Sequence, residues 1–206
     1  INTHQIRDYA IDRHGRTDDY PYGGGKGMLM QCEPLYRCHS DIVKGQHIHT
    51  VMMSAQGIPF DQGKAKELLA REHIIIVCGH YEGIDRRFID ECVDEEISLG
   101  DFVLTGGEIA AMAISDAICR MVPGVLAEDV CFEDESYYNG LLEYPQYTRP
   151  EVWHGVRVPE VLLSGHHENI RKWRLKQSLM LTKERRPDMF EKLEMSREEI
   201  EKILKE

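Results

Sequence analysis

Between residues 49 and 121, short apolar runs alternate with stretches of helical spacing. Residues 49–53 (HTVMM) read as a strand, and Ser54-Ala55-Gln56-Gly57 as the loop that ends it. Asp61 is placed to cap a helix through Glu72, with Leu68 and Leu69 on its buried side. Residues 74–78 (IIIVC) form a continuous β-branched run, the pattern of a strand covered on both faces of a parallel sheet. A second helix, over residues 84–92, leads to a strand at Glu95-Glu96-Ile97. The Ala-rich stretch 109–121 then predicts a helix that stops before Pro123. Such alternation predicts an α/β domain, a parallel sheet flanked by helices, with its ligand site at the carboxyl ends of the strands.

The pattern changes on either side of this block. The first twenty or so residues are polar without periodicity and read as a loop. From Val125 to Tyr137 the chain is acidic and lacks a long apolar run, so an interdomain linker is placed at residues 127–134. Helical spacing returns over residues 169–182, where Ile170, Trp173, Gln177 and Met180/Leu181 share one face and the basic residues occupy the others. Trp173 is expected in the core. Ser196 and Glu199 have the spacing of a capping box for a last helix. The expected organisation is therefore an α/β domain over 1–126, the linker, and a small helical domain over 135–206.

At 206 residues and 42% hydrophobic content, the chain suits one large domain or two small ones. No apolar run approaches membrane-spanning length and no signal-peptide pattern opens the sequence, so a cytoplasmic location without membrane association is the default. Six cysteines lie scattered without a C-x-x-C pair and read as reduced and structural. His47-x-His49 and His166-His167 lack partners at metal-ligand spacing, so no metal site is expected.

Net charge is -11, which excludes a protein that coats nucleic acid non-specifically. The mean hides an asymmetry. Residues 164–187 hold seven Lys/Arg against two Glu, whereas residues 127–143 hold six acids and no base. The basic stretch is a candidate RNA-contacting surface.

Two glycine-punctuated loops follow successive strands: Gly79-His80-Tyr81-Glu82-Gly83 and Leu99-Gly100-Asp101-Phe102-Val103-Leu104-Thr105-Gly106-Gly107. Glycine lets backbone groups approach a ligand closely, and the two loops together suggest one shared pocket. A third segment, Gly23-Gly24-Gly25-Lys26-Gly27, is not a phosphate-binding P-loop, because Met28 stands where Ser or Thr is required.

These loops occur in order with Tyr22-Gly23-Gly24-Gly25-Lys26-Gly27-Met28, Tyr147-Thr148-Arg149-Pro150-Glu151, Leu163-Ser164-Gly165-His166-His167 and Arg171-Lys172-Trp173-Arg174-Leu175-Lys176-Gln177-Ser178. Over nearly its whole length the chain thereby resembles the bacterial tRNA (guanine-N1)-methyltransferases, a family of the knotted SPOUT class. The resemblance implies a trefoil knot in the α/β domain, a tRNA-binding helical domain, and a homodimer that builds each site from two subunits. It implies S-adenosyl-L-methionine as methyl donor, leaves room for Mg2+, and makes the guanine 3′ of the anticodon the target when another guanine precedes it.

Guanine N1 carries a proton, so its methylation needs a base for that proton and a cation or donor for the charge on O6. The resemblance assigns the O6 role to Arg120 and the base to Glu135, where the family has Asp; Asp134 is the neighbouring alternative. It assigns donor binding to Gly79 and to Leu99, Gly100, Asp101, Phe102, Val103 and Leu104, with Tyr81, Glu82, Gly83 and Gly106 lining the same site. Glu82 is suited to face the sulfonium or the amino group. Other departures are Lys26, Ala55 where the family typically has Pro, and a start at Ile1 without the family's opening strand and helix. Two alternatives remain: a related knotted methyltransferase acting on RNA ribose, and a non-catalytic RNA-binding or structural remnant.

Overall fold

The computed structural model describes residues 1–126, 132 and 135–205. The expected linker thus lies outside the described residues except for Phe132, and so does Asp134. The chain divides into two compact units, Ile1–Val125 and Leu126–Glu206.

The first unit begins with a short 3-10 turn, Ile6–Tyr9, and a two-residue antiparallel pair, β1 (Asp18–Asp19) with β2 (Leu29–Met30). Then follow α1 (Cys32–Val43), β3 (His49–Pro59), α2 (Gln62–Leu69), β4 (Ile74–Cys78), α3 (Arg86–Cys92), β5 (Glu95–Ser98) and α4 (Glu108–Cys119). Strands β3, β4 and β5 form a parallel sheet in the order β4-β3-β5.

Side-chain alternation on β3 sorts the core into two layers. Met52 joins Leu35, Val77, Phe88 and Ile89 on the face covered by α1 and α3. Val51 and Met53 join Leu68, Ile97, Ala110, Ile114 and Ile118 on the face covered by α2 and α4. The central strand β3 is covered on both faces, its residues 50–53 all buried. The β-branched run 74–78 forms β4 at the edge of this sheet, mostly half-buried, and packs into both layers as the continuous apolar run implied, Ile75 and Val77 on one face and Ile74 and Ile76 on the other.

Other boundaries move. Asp61 caps α2 as expected, its carboxylate accepting from the Lys64 amide at 2.8 Å, but the helix ends at Leu69 rather than Glu72. Residues 54–57 are not a loop. β3 runs on to Pro59, with a register shift against β5 in which Met53 and Ile58 both face Ile97.

In the second unit the elements are the hairpin β6 (Val152–Trp153) and β7 (Val156–Arg157), then α5 (Glu160–Leu163), α6 (His167–Arg185), α7 (Pro187–Phe190) and α8 (Arg197–Lys205). The capping box before α8 forms: Ser196 N–H donates to Glu199 Oε2 at 3.0 Å, and Glu199 N–H to Ser196 Oγ at 3.2 Å. The buried stripe of α6 is rotated from the expected one. Ser178, Leu179 and Thr182 are buried while Met180 is exposed. Hydrogen bonds allow this: Thr182 Oγ1 donates to the Ser178 carbonyl at 2.7 Å and accepts from the Leu142 amide at 2.8 Å. Trp173 is half-buried, its ring 6.4 Å from that of Tyr147.

Candidate active site in the first unit

Both glycine loops leave the sheet at the carboxyl ends of the two strands that flank β3, one after β4 and the other after β5. They are stitched together. Gly107 N–H donates to the Gly79 carbonyl at 2.8 Å, and His80 pairs with Gly106 as an antiparallel bridge. This contact explains Gly107: a Cβ there would lie 2.9 Å from Cys78 Cα, 3.1 Å from Gly79 N and 3.1 Å from Met53 Cβ. Backbone atoms cannot step aside as a flexible side chain can, so only glycine lets the loops close on each other.

Between them lies a pocket of about 420 Å³. The first loop contributes Gly79, Tyr81, Glu82 and Gly83; the second contributes Leu99, Gly100, Phe102, Val103, Leu104 and Gly106. Ten of the eleven residues expected around the donor thus share one pocket. Asp101, expected to meet the donor through its backbone, lies in the same loop without lining the pocket. Sequence reasoning did not single out His80, Thr105 and Gly107 inside the two loops, or Ser54, Arg86 and Glu96 across the pocket. The first three were legible as members of the loops; the others reach the pocket only through the parallel pairing of β3 with β5 and the position of α3.

The walls are apolar at Ile84, Ile97 and Leu104, while the rim is exposed at Tyr81, Phe102 and Val103. Charge at the pocket is largely acidic. Arg86 is engaged with Asp90 at 2.7 Å and with Glu96 at 3.3 Å, and Glu108 faces His80 at 3.7 Å. Cys78, one residue before Gly79, has its thiol pushed up by burial and by Glu108, so it stays un-ionised at neutral pH.

A model of the family tRNA (Guanine-1)-methyltransferase TrmD matches residues 1–192, most of the chain. The chain belongs to this family. Among relatives, the tRNA (guanine-N(1)-)-methyltransferase of Clostridium acetobutylicum is 57% identical over 199 residues, 97% of this chain and 82% of that protein. The protein of the same name from Clostridium perfringens is 56% identical over 205 residues, covering 100% of this chain and 86% of its own length. That of Ruminiclostridium cellulolyticum is 55% identical over 195 residues, 94% and 84% of the two chains.

In this tRNA (guanine-1)-methyltransferase family member the remaining expected site residues fall in different units. Arg120 is the C-cap of α4, its amide donating to the carbonyls of Asp116 and Ile118. Glu135 lies in the second unit, its amide donating to the Phe132 carbonyl at 3.3 Å. The basic stretch of α6 exposes Arg171, Lys172 and Arg174, with Arg174 stacked 4.7 Å over the Tyr144 ring. Among the described residues no three His, Cys, Asp or Glu cluster to hold a metal ion, so Mg2+ is assigned no ligands, and no helix is long and apolar enough to cross a membrane.

Proposed function

We propose that this chain transfers a methyl group from S-adenosyl-L-methionine to N1 of the guanine 3′ of the anticodon in tRNA, in the cytoplasm. Family membership supports the reaction, and one structural observation carries its location: ten residues expected at the donor line a single pocket at the carboxyl ends of the sheet. The pocket has the size of small-molecule sites, roughly 300–1,000 Å³. Leu99 and Leu104 supply apolar walls for an adenine, and the glycine-rich backbone supplies donors and acceptors. The trefoil knot implied by the family belongs to the same reading.

The donor, when bound, supplies an electrophilic methyl group for in-line displacement. Glu82 at the pocket presents a carboxylate to the donor's positive charge. Arg120 holds the negative charge that collects on guanine O6 as N1 is deprotonated, and Glu135 accepts the N1 proton.

The reading includes a homodimer with shared sites, in which the helical second unit holds the tRNA through α6. Supporting it, the first unit exposes Phe102, Val103, Ile109 and Met112, four large apolar side chains on the segment that follows β5. Ile109 and Met112 share one face of α4, and a second copy of the chain is the partner that would cover them.

Two experiments test this reading together. Mixing Arg120→Ala chains with Glu135→Ala chains is expected to restore methylation if the two residues meet across subunits; no recovery contradicts sharing. In single-turnover assays Glu135→Gln should abolish the chemical step while tRNA binding survives, and Asp134→Asn should do much less. A dead Asp134→Asn with an active Glu135→Gln moves the base by one residue, and two active variants remove it from this segment.

A further inference from the structure

We propose that Gly27 is a positioning residue for Glu82: lacking a Cβ, it lets the Glu82 side chain fold against the glycine-rich segment, and this sets where the donor pocket presents its carboxylate. The inference rests on the assignment of Glu82 to the donor pocket.

The backbones around the two residues are tied together. Glu82 N–H donates to the Met28 carbonyl at 3.0 Å, Met30 N–H to the Gly83 carbonyl at 2.9 Å, and Asp85 N–H to the Met30 carbonyl at 3.0 Å. With the chain fixed on both sides, the Glu82 side chain lies directly over residue 27. A Cβ on Gly27 would sit 2.5 Å from Glu82 Cγ, 2.5 Å from Oε1 and 2.9 Å from Cδ. Carbon contacts are comfortable only near about 3.5–4.0 Å. What gives way is a flexible side chain rather than backbone, so the effect of an alanine falls on the place of the carboxylate more than on the stability of the fold.

The same segment contains its own control. Gly24 has φ of +79° and Gly27 has φ of +83°, so both hold the left-handed backbone that favours glycine. A Cβ on Gly24, however, meets nothing within 4 Å. The two glycines therefore share a backbone requirement and differ in one respect, the contact with Glu82. The run Gly23-Gly24-Gly25-Lys26-Gly27 gives no hint of this division of roles.

Calorimetric titration with S-adenosyl-L-methionine, and with its uncharged thioether product S-adenosyl-L-homocysteine, tests the coupling in Gly27→Ala, Gly24→Ala, Glu82→Ala and Gly27→Ala/Glu82→Ala. Gly27→Ala is expected to weaken donor binding by about tenfold, the scale of one charge-assisted contact. It should also change the ratio of donor to product affinity in the same direction as Glu82→Ala does, which a general loosening of the fold would not. Gly24→Ala should leave donor affinity within about twofold. The double variant should bind no more weakly than Glu82→Ala alone, because removal of the Glu82 side chain removes the clash. A Gly27→Ala protein that unfolds and is rescued by Glu82→Ala supports the contact equally. Equal effects of Gly27→Ala and Gly24→Ala, or full additivity in the double variant, overturn the proposal. Wild-type donor affinity in Glu82→Ala overturns instead the assignment of Glu82 on which it rests.

Discussion

The two ends of the sheet in the first unit are finished in opposite ways, and at the amino ends polar groups dominate. At the amino ends of β3 and β5 they are closed into a network. Asp94 accepts from the Thr50 amide at 2.7 Å and meets His47 at 2.9 Å; Glu95 meets His49 at 2.7 Å and Lys64 of α2 at 3.0 Å. The side chains of His49, Lys64 and Glu95 are only 14–16% exposed. At the carboxyl ends, Tyr81, Phe102 and Val103 stand 52%, 55% and 86% exposed around a pocket. One end fastens strands to a helix with charges that answer each other. The other end surrounds the proposed donor pocket with exposed side chains, its charge pairs Arg86–Glu96 and His80–Glu108 lying nearer the surface, and function draws on such less tightly bound parts of a fold.

The sharpest way to break this contrast is to alter the seam that shapes the open end. Gly107→Ala forces a Cβ against Cys78 and Gly79 backbone, an overpacking that costs about 1–3 kcal/mol. Donor affinity should fall by about tenfold or more, with a smaller loss in thermal midpoint. An alanine variant that binds S-adenosyl-L-methionine like wild type in calorimetry would show that the closely apposed loops do not define the site.

A smaller effect is expected at the closed end. Glu95→Gln leaves His49 and Lys64 with a neutral partner and should cost about 1–3 kcal/mol in chemical denaturation. Donor affinity should not change. A drop in donor affinity at matched folded fraction would mean that the two ends are coupled and the contrast is false.

The smallest effect is a dependence on acid. Burial opposes ionisation of Asp94, yet the Thr50 amide and His47 outweigh it and hold its carboxyl below the usual range. Burial likewise opposes Glu95, and His49 with Lys64 prevails. A carboxylate lowered by folding stabilises fully above its unfolded pKa, about 4, and loses that contribution as pH falls through its folded value. The thermal midpoint should therefore decline below about pH 4, and Glu95→Gln should make the decline shallower. An unchanged slope in that variant would assign acid sensitivity to other carboxylates.

What the sequence revealed follows the same division. The two loops were legible because glycines clustered after an apolar run are a local pattern, although the contacts that require Gly107, with Cys78, Gly79 and Met53, come from distant segments. The capping residues Asp61 and Ser196 were legible for the same reason. Strand order was not. Residues 74–78 carry the strongest apolar run yet form an edge, while HTVMM is central, because order depends on pairings between segments far apart in the chain. α1 escaped the sequence reading, its buried face carried by Pro34, Leu35 and Cys38 rather than by a clear aliphatic stripe. In α6 the buried Ser178 and Thr182 read as surface residues until their hydrogen bonds are known. Arg120 and Glu135 were accessible only through family resemblance, since a helix-end arginine and an acidic segment have ordinary structural uses.

We propose that this chain methylates a base nitrogen using a donor held between the two glycine loops, and the methylated nucleoside itself decides it. Purified protein should be incubated with unmodified tRNA bearing guanines at the target and preceding positions, and with methyl-labelled S-adenosyl-L-methionine, and the tRNA then digested to nucleosides. The expected product is N1-methylguanosine at the position 3′ of the anticodon, lost in Arg120→Ala. Label recovered on ribose, or intact folded protein that binds the donor and transfers nothing to tRNA, would contradict the account.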